Sequence, residues 1–302
     1  MLDMLEQHAQ HVAAAQQDIG GDWQRFYLGY AGRFVDDCVL QLQGGVVQVR
    51  LAQAPSAKAA AKVSARLQTL DKASDPALTG TTVWDGAVVL AHYLTDTSTL
   101  EDYAQARLVK GRSGTAVAGR LGEELQPLRC IELGAGTGAV SLALLACRKV
   151  AQSTLTDIPD MLPWLRHNVE RNHAVLQPHQ ANIQALRWGS AGVEDLGRLQ
   201  PSPPYDVILG ADLIYYSDTP ETPHSRLLLW TLQRLAGDHS LILLALSLHH
   251  NPEEVSHFLQ LASQAGFLTE YVDDVPAPWL VPDVMLVRLV RLQGANGCPE
   301  AD

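Results

Sequence analysis

The 302-residue sequence predicts an α/β fold built on a mostly parallel sheet with helices on both faces. From Arg129 onward, short apolar runs alternate with helical patterns, which is typical of parallel strands joined by helices. The first run, Cys130 to Leu133, leads directly into the glycine-rich turn Gly134-Ala135-Gly136-Thr137-Gly138. The last two runs are joined by a proline-rich loop without a helical pattern, which predicts an antiparallel pair at the sheet edge.

Seven strands and four helices fit this region. The predicted strands are about Cys130 to Leu133, Ser153 to Thr156, Ile183 to Trp188, Asp206 to Ala211, Leu241 to Leu248, Phe267 to Val272 and Val284 to Leu292. The predicted helices are about Thr137 to Cys147, Asp160 to Asn172, His224 to Leu235 and Pro252 to Ala265. Asp160 is expected to cap its helix, and Gly266 to end the last one.

The N-terminal part of the chain has weaker patterns. Residues 1–20 predict a solvated helix or a frayed tail, and 23–52 predict a small antiparallel β unit that turns at Gly44-Gly45. Residues 54–80 suggest a linker. Thr82 or Asp85 is expected to cap a helix that buries an apolar face, and 95–126 is expected to be an insertion or flexible loop.

Composition narrows the class of partner. The net charge is −11, which argues against a nucleic-acid-binding surface. The four cysteines show no C-x-x-C spacing and the histidines no ligand spacing, so we expect no disulfide framework and no metal site. Neither a membrane span nor a signal-peptide core is apparent, so we expect a cytoplasmic protein, and a monomer.

The glycine-rich turn predicts a cradle for a nucleotide-like cofactor. Its glycines allow a sharp turn and a close approach of the backbone to a ligand. Gly134-x-Gly136-x-x-Ala139 formally satisfies a dinucleotide fingerprint. Asp157 follows the second strand, where an acid would accept hydrogen bonds from the ribose of any adenosine-containing cofactor. At this point a nicotinamide-dependent dehydrogenase remains open.

A set of short motifs, in one order along the chain, is more specific than the turn alone. They are Val83-Trp84-Asp85-Gly86-Ala87, Ile131 to Gly138, Thr156-Asp157-Ile158-Pro159, Asn168 through Asn172, Arg187-Trp188-Gly189 and Ala211-Asp212-Leu213-Ile214-Tyr215-Tyr216. Together they resemble the S-adenosylmethionine-dependent protein-lysine methyltransferases of the seven-strand class, marked by an Asp-x-x-Tyr motif after the fourth strand. Members of that family modify elongation factors, chaperones and related ATPases.

The resemblance implies a seven-stranded, Rossmann-like methyltransferase sheet with an antiparallel last strand and an N-terminal β extension that helps to cover the substrate cleft. It divides the chain into an N-terminal tail (1–20), the β extension and linker (21–80), the methyltransferase domain (81–295) and a C-terminal tail (296–302). The usual connection in that family is shorter than residues 95–126.

The resemblance also implies contacts with S-adenosylmethionine. The implied contacts are Trp84, Glu132, Gly134, Ala135, Gly136, Asp157, Trp188 and Ala211. The glycines would admit the methionine end, Asp157 would bind the ribose, and Trp188 would offer a flat wall to the adenine. Other readings stay open: Glu132 could bond nearby N–H groups, Asp157 could be a cap, and both tryptophans could belong to the core.

Asp212 and Tyr215 are the predicted catalytic residues. A free lysine has a pKa near 10.4 and therefore arrives protonated. Asp212 could attract and orient the ammonium group, and Tyr215 could add a hydroxyl acceptor or a ring face for a cation. A nearby carboxylate favours the charged amine, so Asp212 suits positioning better than strong base catalysis. The alternative is that Asp212 caps the next segment and Tyr215 packs.

The predicted function is methyl transfer from S-adenosylmethionine to a lysine side chain of a protein substrate, without nucleic-acid or membrane partners. Two alternatives share the fold: a small-molecule methyltransferase and a cofactor-binding protein that acts through contacts without catalysis. A dehydrogenase is disfavoured because no residues for hydride transfer are evident.

Overall fold

The computed structural model describes residues 2–19, 37–53, 80–111, 127–215, 223–248 and 252–292. Its strands are β1 (Asp37–Leu42), β2 (Val47–Ala52), β3 (Cys130–Leu133), β4 (Gln152–Asp157), β5 (Gln180–Ala185), β6 (Tyr205–Ala211), β7 (Ala236–Ser247), β8 (Phe267–Tyr271) and β9 (Val284–Arg291). Its α-helices are α1 (Leu2–Ile19), α2 (Asp85–Asp96), α3 (Thr99–Gly111), α4 (Ala139–Ala146), α5 (Leu162–Arg171), α6 (His173–Leu176), α7 (Val193–Arg198), α8 (His224–Leu235) and α9 (Pro252–Gln264).

The main sheet has seven strands in the order β5-β4-β3-β6-β7-β9-β8. β3 to β7 pair in parallel, whereas β9 lies between β7 and β8 and is antiparallel to both. The predicted fold class and the antiparallel last pair are therefore confirmed. The chain order reverses between β3 and β6, so the carboxyl ends of these strands flank the crevice where open α/β sheets bind ligands.

Alternate residues along the strands face two different hydrophobic clusters. On β7, Leu241, Leu243 and Ala245 join the cluster that includes α2 and α4, whereas the residues between them join the cluster of α8 and α9. Because successive side chains of a strand point to opposite faces, this alternation shows a helical layer on each side of the sheet. Parallel strands buried on both faces read as continuous apolar runs, which is why the sequence marked them clearly.

The N-terminal strands β1 and β2 form the predicted antiparallel hairpin, with the turn at Gly44-Gly45 in positive-φ conformations. β2 packs against α4 and α5. The other predicted strand positions of this unit, in 23–36, lie outside the described residues, as do most of the predicted linker and residues 112–126. The division into domains stays a prediction.

Several local predictions are wrong. Helix α1 is not solvated all round, because His8 and Val12 are 2% and 4% exposed. Residues 99–111 form a helix where we expected an insertion or loop. Neither Thr82 nor Asp85 caps α2, whose N-cap position is Trp84, and Asp160 lies in a short 3-10 turn rather than at a cap.

The third strand of the sheet also lies earlier than predicted. β5 ends at Ala185, so Trp188 stands in the following loop rather than at the strand end. The sequence Gln180–Ala185 alternates amide side chains with Ala181, Ile183 and Ala185, and it lacks a continuous apolar run because β5 is the edge strand and its side chains are half-buried. None of the helices in the described ranges is long and apolar enough to cross a membrane.

Candidate active site

A cavity of about 260 Å³ opens at the carboxyl ends of β3, β4 and β6. Its lining includes all ten residues predicted from the sequence: Trp84, Glu132, Gly134, Ala135, Gly136, Asp157, Trp188, Ala211, Asp212 and Tyr215. These residues come from five separate stretches of the chain. The fold therefore brings the predicted cofactor residues and the predicted catalytic residues to one site.

The glycine-rich loop turns through left-handed backbone conformations. Gly134 has φ +53 and Gly136 has φ +52. A Cβ on Gly134 would lie 2.7 Å from Leu213 Cδ2, and one on Gly136 would lie 2.7 Å from the Gly80 carbonyl oxygen. Both positions therefore favour glycine for conformation, and Gly136 requires it for space as well, because its neighbour is backbone. The loop is also held by the Ala135 N–H, which donates to the Thr156 carbonyl at 2.9 Å.

Glu132 lies at the end of β3 and is 3% exposed. Its Oε2 accepts from the Ser141 N–H at 2.9 Å, in the first turn of α4, so the local-bonding interpretation describes a contact that is present. The same side chain lines the cavity. Burial raises the pKa of Glu132 to about 7, although the bond from Ser141 works in the opposite direction.

Asp157 ends β4 and accepts two backbone hydrogen bonds. Its Oδ2 accepts from the Gly136 N–H at 2.8 Å, and its Oδ1 from the Ile158 N–H at 2.7 Å. Burial raises the pKa of Asp157 to about 6. A carboxylate has about four lone-pair sites, so Asp157 keeps capacity for the hydroxyl groups of a ribose.

Trp188 is positioned by the loop between β5 and α7. Arg187 donates through Nε and Nη2 to the two carboxylate oxygens of Asp195 at 2.8 and 3.1 Å. This bidentate ion pair lowers the pKa of Asp195 and fixes the loop on one side of Trp188. On the other side, the Gly189 N–H donates to Thr231 Oγ1 at 3.0 Å. The Trp188 ring comes within 3.5 Å of where a Cβ on Gly134 would stand, so it forms the wall beside the glycine loop.

Asp212 follows β6 with a left-handed φ of +54. Its Oδ2 accepts from the Gly86 N–H at 2.7 Å, and its Oδ1 accepts from Ser247 Oγ. The Gly86 N–H is one of the first donors of α2, so the carboxylate caps that helix. Asp212 therefore does cap a helix, but the helix is α2, earlier in the chain, and not the segment that follows Asp212; the side chain lines the cavity as well.

Gly86 and Ser247 are the site residues that the sequence reasoning missed. A Cβ on Gly86 would lie 2.6 Å from Asp212 Oδ2, so only glycine fits there. Ser247 is buried at the end of β7, beside the end of β6. The sequence did offer one signal for Ser247: it lies near the end of a predicted strand, at the same edge of the sheet as Asp212. Thr82, Ile158, Leu186 and His224 also line the cavity.

The lining suits S-adenosylmethionine. Glu132, Asp157 and Asp212 put three carboxyl groups around one cavity, and Arg187 on its wall is already paired with Asp195. Burial raises the pKa values of Glu132 and Asp157, so these two acids gain from a cationic ligand, and the sulfonium and amino groups of this cofactor are cationic. Leu186, Trp188 and Ile158 supply apolar surface for a base.

A family model described as lysine methyltransferase matches residues 64–265 of the chain. The chain belongs to this family. Protein N-lysine methyltransferase METTL21A of Mus musculus is 36% identical over 182 residues, which cover 59% of this chain and 65% of that protein. EEF1A lysine methyltransferase 3 of Mus musculus is 36% identical over 137 residues, which cover 45% of this chain and 52% of that protein.

The chain thus spans between about half and two thirds of the length of these curated relatives. A structure of the glycopeptide N-methyltransferase MtfA with S-adenosyl-L-methionine is similar over 63% of this chain and 93% of that chain, at 12% identity and a TM-score of 0.41. Membership in the lysine methyltransferase family confirms the predicted family and its methyl donor, S-adenosylmethionine. It excludes the dehydrogenase that the fingerprint had left open.

Proposed function

We propose that this chain transfers a methyl group from S-adenosylmethionine to the ε-amino group of a lysine in a protein substrate. The observation that carries the proposal is the shared cavity, where the Asp212–Tyr215 segment faces the glycine loop and Asp157. The family match and the names of the two relatives support the same activity. We propose an elongation factor or a chaperone as the substrate type, because these are the substrate classes that the family resemblance of the sequence motifs implies.

In this proposal the cofactor residues each bind one part of the donor. Glu132, Gly134, Ala135 and Gly136 surround its methionine end, Asp157 accepts from its ribose hydroxyls, and Trp188 packs on its adenine. Trp84 and Ala211 close the cavity around it. When bound, S-adenosylmethionine supplies an activated methyl group on a sulfonium.

Asp212 attracts the lysine ammonium group and orients it toward the methyl donor. Its carboxylate is already fixed by Gly86 and Ser247, so little side-chain freedom is lost when the lysine enters. Tyr215 offers a hydroxyl acceptor and a ring face to the same cation. The lysine proton leaves to water, and the rate gain comes from proximity and orientation.

The test is incubation with cofactor labelled at the methyl group and a cell lysate. We expect label in proteins, with mass spectrometry locating it on lysine. Label in small molecules alone would identify a small-molecule methyltransferase, and binding without transfer would identify a non-catalytic protein. Either result would overturn the proposal.

Asp212→Asn provides the matched variant for this test. An asparagine keeps an oxygen for the Gly86 N–H, so α2 stays capped, but it removes the charge that attracts the ammonium. We expect transfer to fall roughly a hundredfold, with little change in the Kd of the cofactor. Asp212→Ala is less informative, because it also removes the cap of α2. Equal losses of binding and transfer in Asp212→Asn would assign Asp212 a structural role.

We further propose a cytoplasmic monomer without nucleic-acid partners. The acidic balance of the chain supports the last point. Light scattering would measure the oligomeric state, and fractionation of cells would measure the location.

A further inference from the structure

Asn168 of α5 and its C-cap residue Asn172 bind one edge of strand β2 as a neighbouring strand would. Asn172 Oδ1 accepts from the Arg50 N–H at 2.9 Å, and its Nδ2 donates to the Arg50 carbonyl at 2.8 Å. Asn168 repeats the pattern two strand residues along, with the N–H and carbonyl of Ala52 at 2.7 and 3.3 Å. Each side-chain amide therefore replaces one peptide group of a β ladder.

The spacing explains why a helix can do this. Four residues of α-helix rise about 6 Å, and two residues of strand rise about 6.6 Å. Asn168 and Asn172 therefore lie in register with Ala52 and Arg50. Both asparagines are buried, at 0% and 3% exposure, and both side-chain amides are bonded. The hairpin is thus attached to α5 through desolvated hydrogen bonds.

Asn168 has an additional contact that Asn172 lacks among the described residues. Its Nδ2 also donates to the Thr137 carbonyl at 3.0 Å. Thr137 lies in the glycine loop between Gly136 and Gly138, and it lines the cavity. Asn168 thereby joins the end of β2 directly to the cofactor loop.

The residue after β2 reaches the other wall of the cavity. Gln53 is buried, and its Oε1 accepts from the Val83 N–H at 2.9 Å. Val83 immediately precedes Trp84, the N-cap residue of α2. The end of the hairpin therefore contacts the backbone on both sides of the cavity.

We propose that Asn168 is a positioning residue for cofactor binding, and that through it the N-terminal hairpin is part of the cofactor site. This inference rests on the proposed function, because it assigns the glycine loop to S-adenosylmethionine. Fixing the Thr137 carbonyl holds the loop in its bound shape before the cofactor arrives. The loop therefore loses less conformational freedom when the cofactor binds. The hairpin then acts on the donor side of the reaction rather than only covering the substrate cleft.

The experiment compares Asn168→Ala with Asn172→Ala. Both variants remove side-chain amide bonds to β2, one within α5 and one at its C-cap. Only Asn168→Ala also frees the Thr137 carbonyl. Calorimetry at pH 8 with S-adenosylhomocysteine as the probe should show a Kd raised roughly tenfold in Asn168→Ala. Asn172→Ala should keep a Kd close to that of the unaltered chain, while both variants melt at lower temperature. With a protein substrate, KM for the cofactor should rise in Asn168→Ala more than kcat falls.

Equal Kd values in the two variants, or an unchanged Kd in Asn168→Ala, would overturn the inference. If Asn168→Ala does not fold, Asn168→Asp takes its place. An aspartate keeps the shape and the acceptor for Ala52 but turns an oxygen toward the Thr137 carbonyl, so an unchanged Kd would overturn the inference equally. Failure of the unaltered chain to bind the probe would instead refute the proposed function, and the inference with it.

Discussion

Asp212 caps a helix and also lines the cavity, so its structural contacts and its proposed role in positioning the lysine fall on one side chain. Its left-handed backbone is tolerated because aspartate visits that region more readily than most residues, and because its N–H donates to the Ala245 carbonyl at 2.9 Å. Its carboxylate fixes the start of α2 and faces the cavity. Since Trp84 stands at that helix start, a movement of Asp212 would also move a wall of the cofactor site.

The buried acids Glu132 and Asp157 predict a pH-dependent affinity for the cofactor. Their pKa values are raised to about 7 and about 6 by burial, so Asp157 is mostly ionised above pH 6 and Glu132 only above pH 7. Binding to the ionised form should weaken as the pH falls from 8 to 5.5, by about tenfold per unit once below the pKa of a group that must ionise. Calorimetry across this range measures it.

Glu132→Gln is the control for that pH dependence. The amide keeps an oxygen for the Ser141 N–H but does not titrate, so the step near pH 7 should disappear while the step near pH 6 remains. In the absence of cofactor, the folding stability changes with pH in the opposite direction to the cofactor affinity. A raised folded-state pKa means that the folded chain binds the proton more tightly, so Glu132 makes the chain less stable as the pH rises from about 4.5 to about 7. If the Kd of the unaltered chain did not change with pH, the assignment of the two titration steps to Glu132 and Asp157 would be contradicted.

At the scale of elements, the unit β3–loop–α4 depends on its glycines. Gly136→Ala should force a side chain into a left-handed backbone, at a cost of about 1–2 kcal/mol, and against the Gly80 carbonyl. We expect a lower melting temperature and a Kd for S-adenosylhomocysteine raised at least roughly tenfold. Thermal unfolding and calorimetry measure the two effects.

Gly197→Ala is the matched control for the glycine loop. Gly197 lies in α7, and a Cβ there meets no atom within 4 Å. Alanine should stabilise this helix by up to about 1 kcal/mol and leave cofactor binding unchanged. If both alanine variants bound the probe equally well, the loop would not need its glycine conformation for binding.

At the scale of the whole molecule, helix α1 ties the N-terminal region to the end of β8 and to the loop between β8 and β9. His8 Nε2 donates to the Val281 carbonyl at 3.0 Å in the neutral form, and Nδ1 then accepts from the Tyr271 hydroxyl at 3.1 Å. His11 contacts the same hydroxyl at 3.1 Å. Met4 and Leu5 pack on one hydrophobic cluster and Ala15 on the other, so α1 contacts both layers beside the sheet.

This contact predicts a stability that falls in mild acid. Burial lowers the pKa of His8 below 6.5, so the unfolded chain binds a proton that the folded chain resists. The contribution of neutral His8 is complete above pH 6.5 and is lost as the pH falls through the lowered pKa. Urea unfolding measures the free energy of unfolding at pH 7.5 and 5.5. Between these pH values, this free energy should fall less in His8→Gln than in the unaltered chain. Equal losses would show that His8 does not titrate on unfolding.

The sequence was most informative for strands that are buried on both faces of the sheet. Strands buried on both faces read as apolar runs, and their carboxyl ends meet at one edge, which is why ten residues from distant motifs could be assigned to one cavity. It was least informative for polar elements. The apolar residues of α3 do not form one clear helical face, β5 has amides at every second position, and the hydrogen bonds of α1 come from histidines, which no apolar pattern marks.

The contacts that fix the site side chains could not be predicted either. Ser247 reaches Asp212, and Asn168 reaches both Ala52 and Thr137, only once the strands and helices are packed. These are hydrogen bonds between single polar groups at fixed positions in space. Sequence periodicity reports which face of an element is buried, and it does not report which polar atoms meet there.

The insertion of β9 between β7 and β8 has a consequence for synthesis on the ribosome. β7 carries the fully apolar run Leu241–Leu246, and one edge of it has no neighbouring strand until Val284–Arg291 has been made. During that interval the nascent chain presents an open, hydrophobic strand edge, which invites pairing with other chains. The sheet is therefore completed only after β9 has been synthesised, and chaperone protection is needed most just before that point.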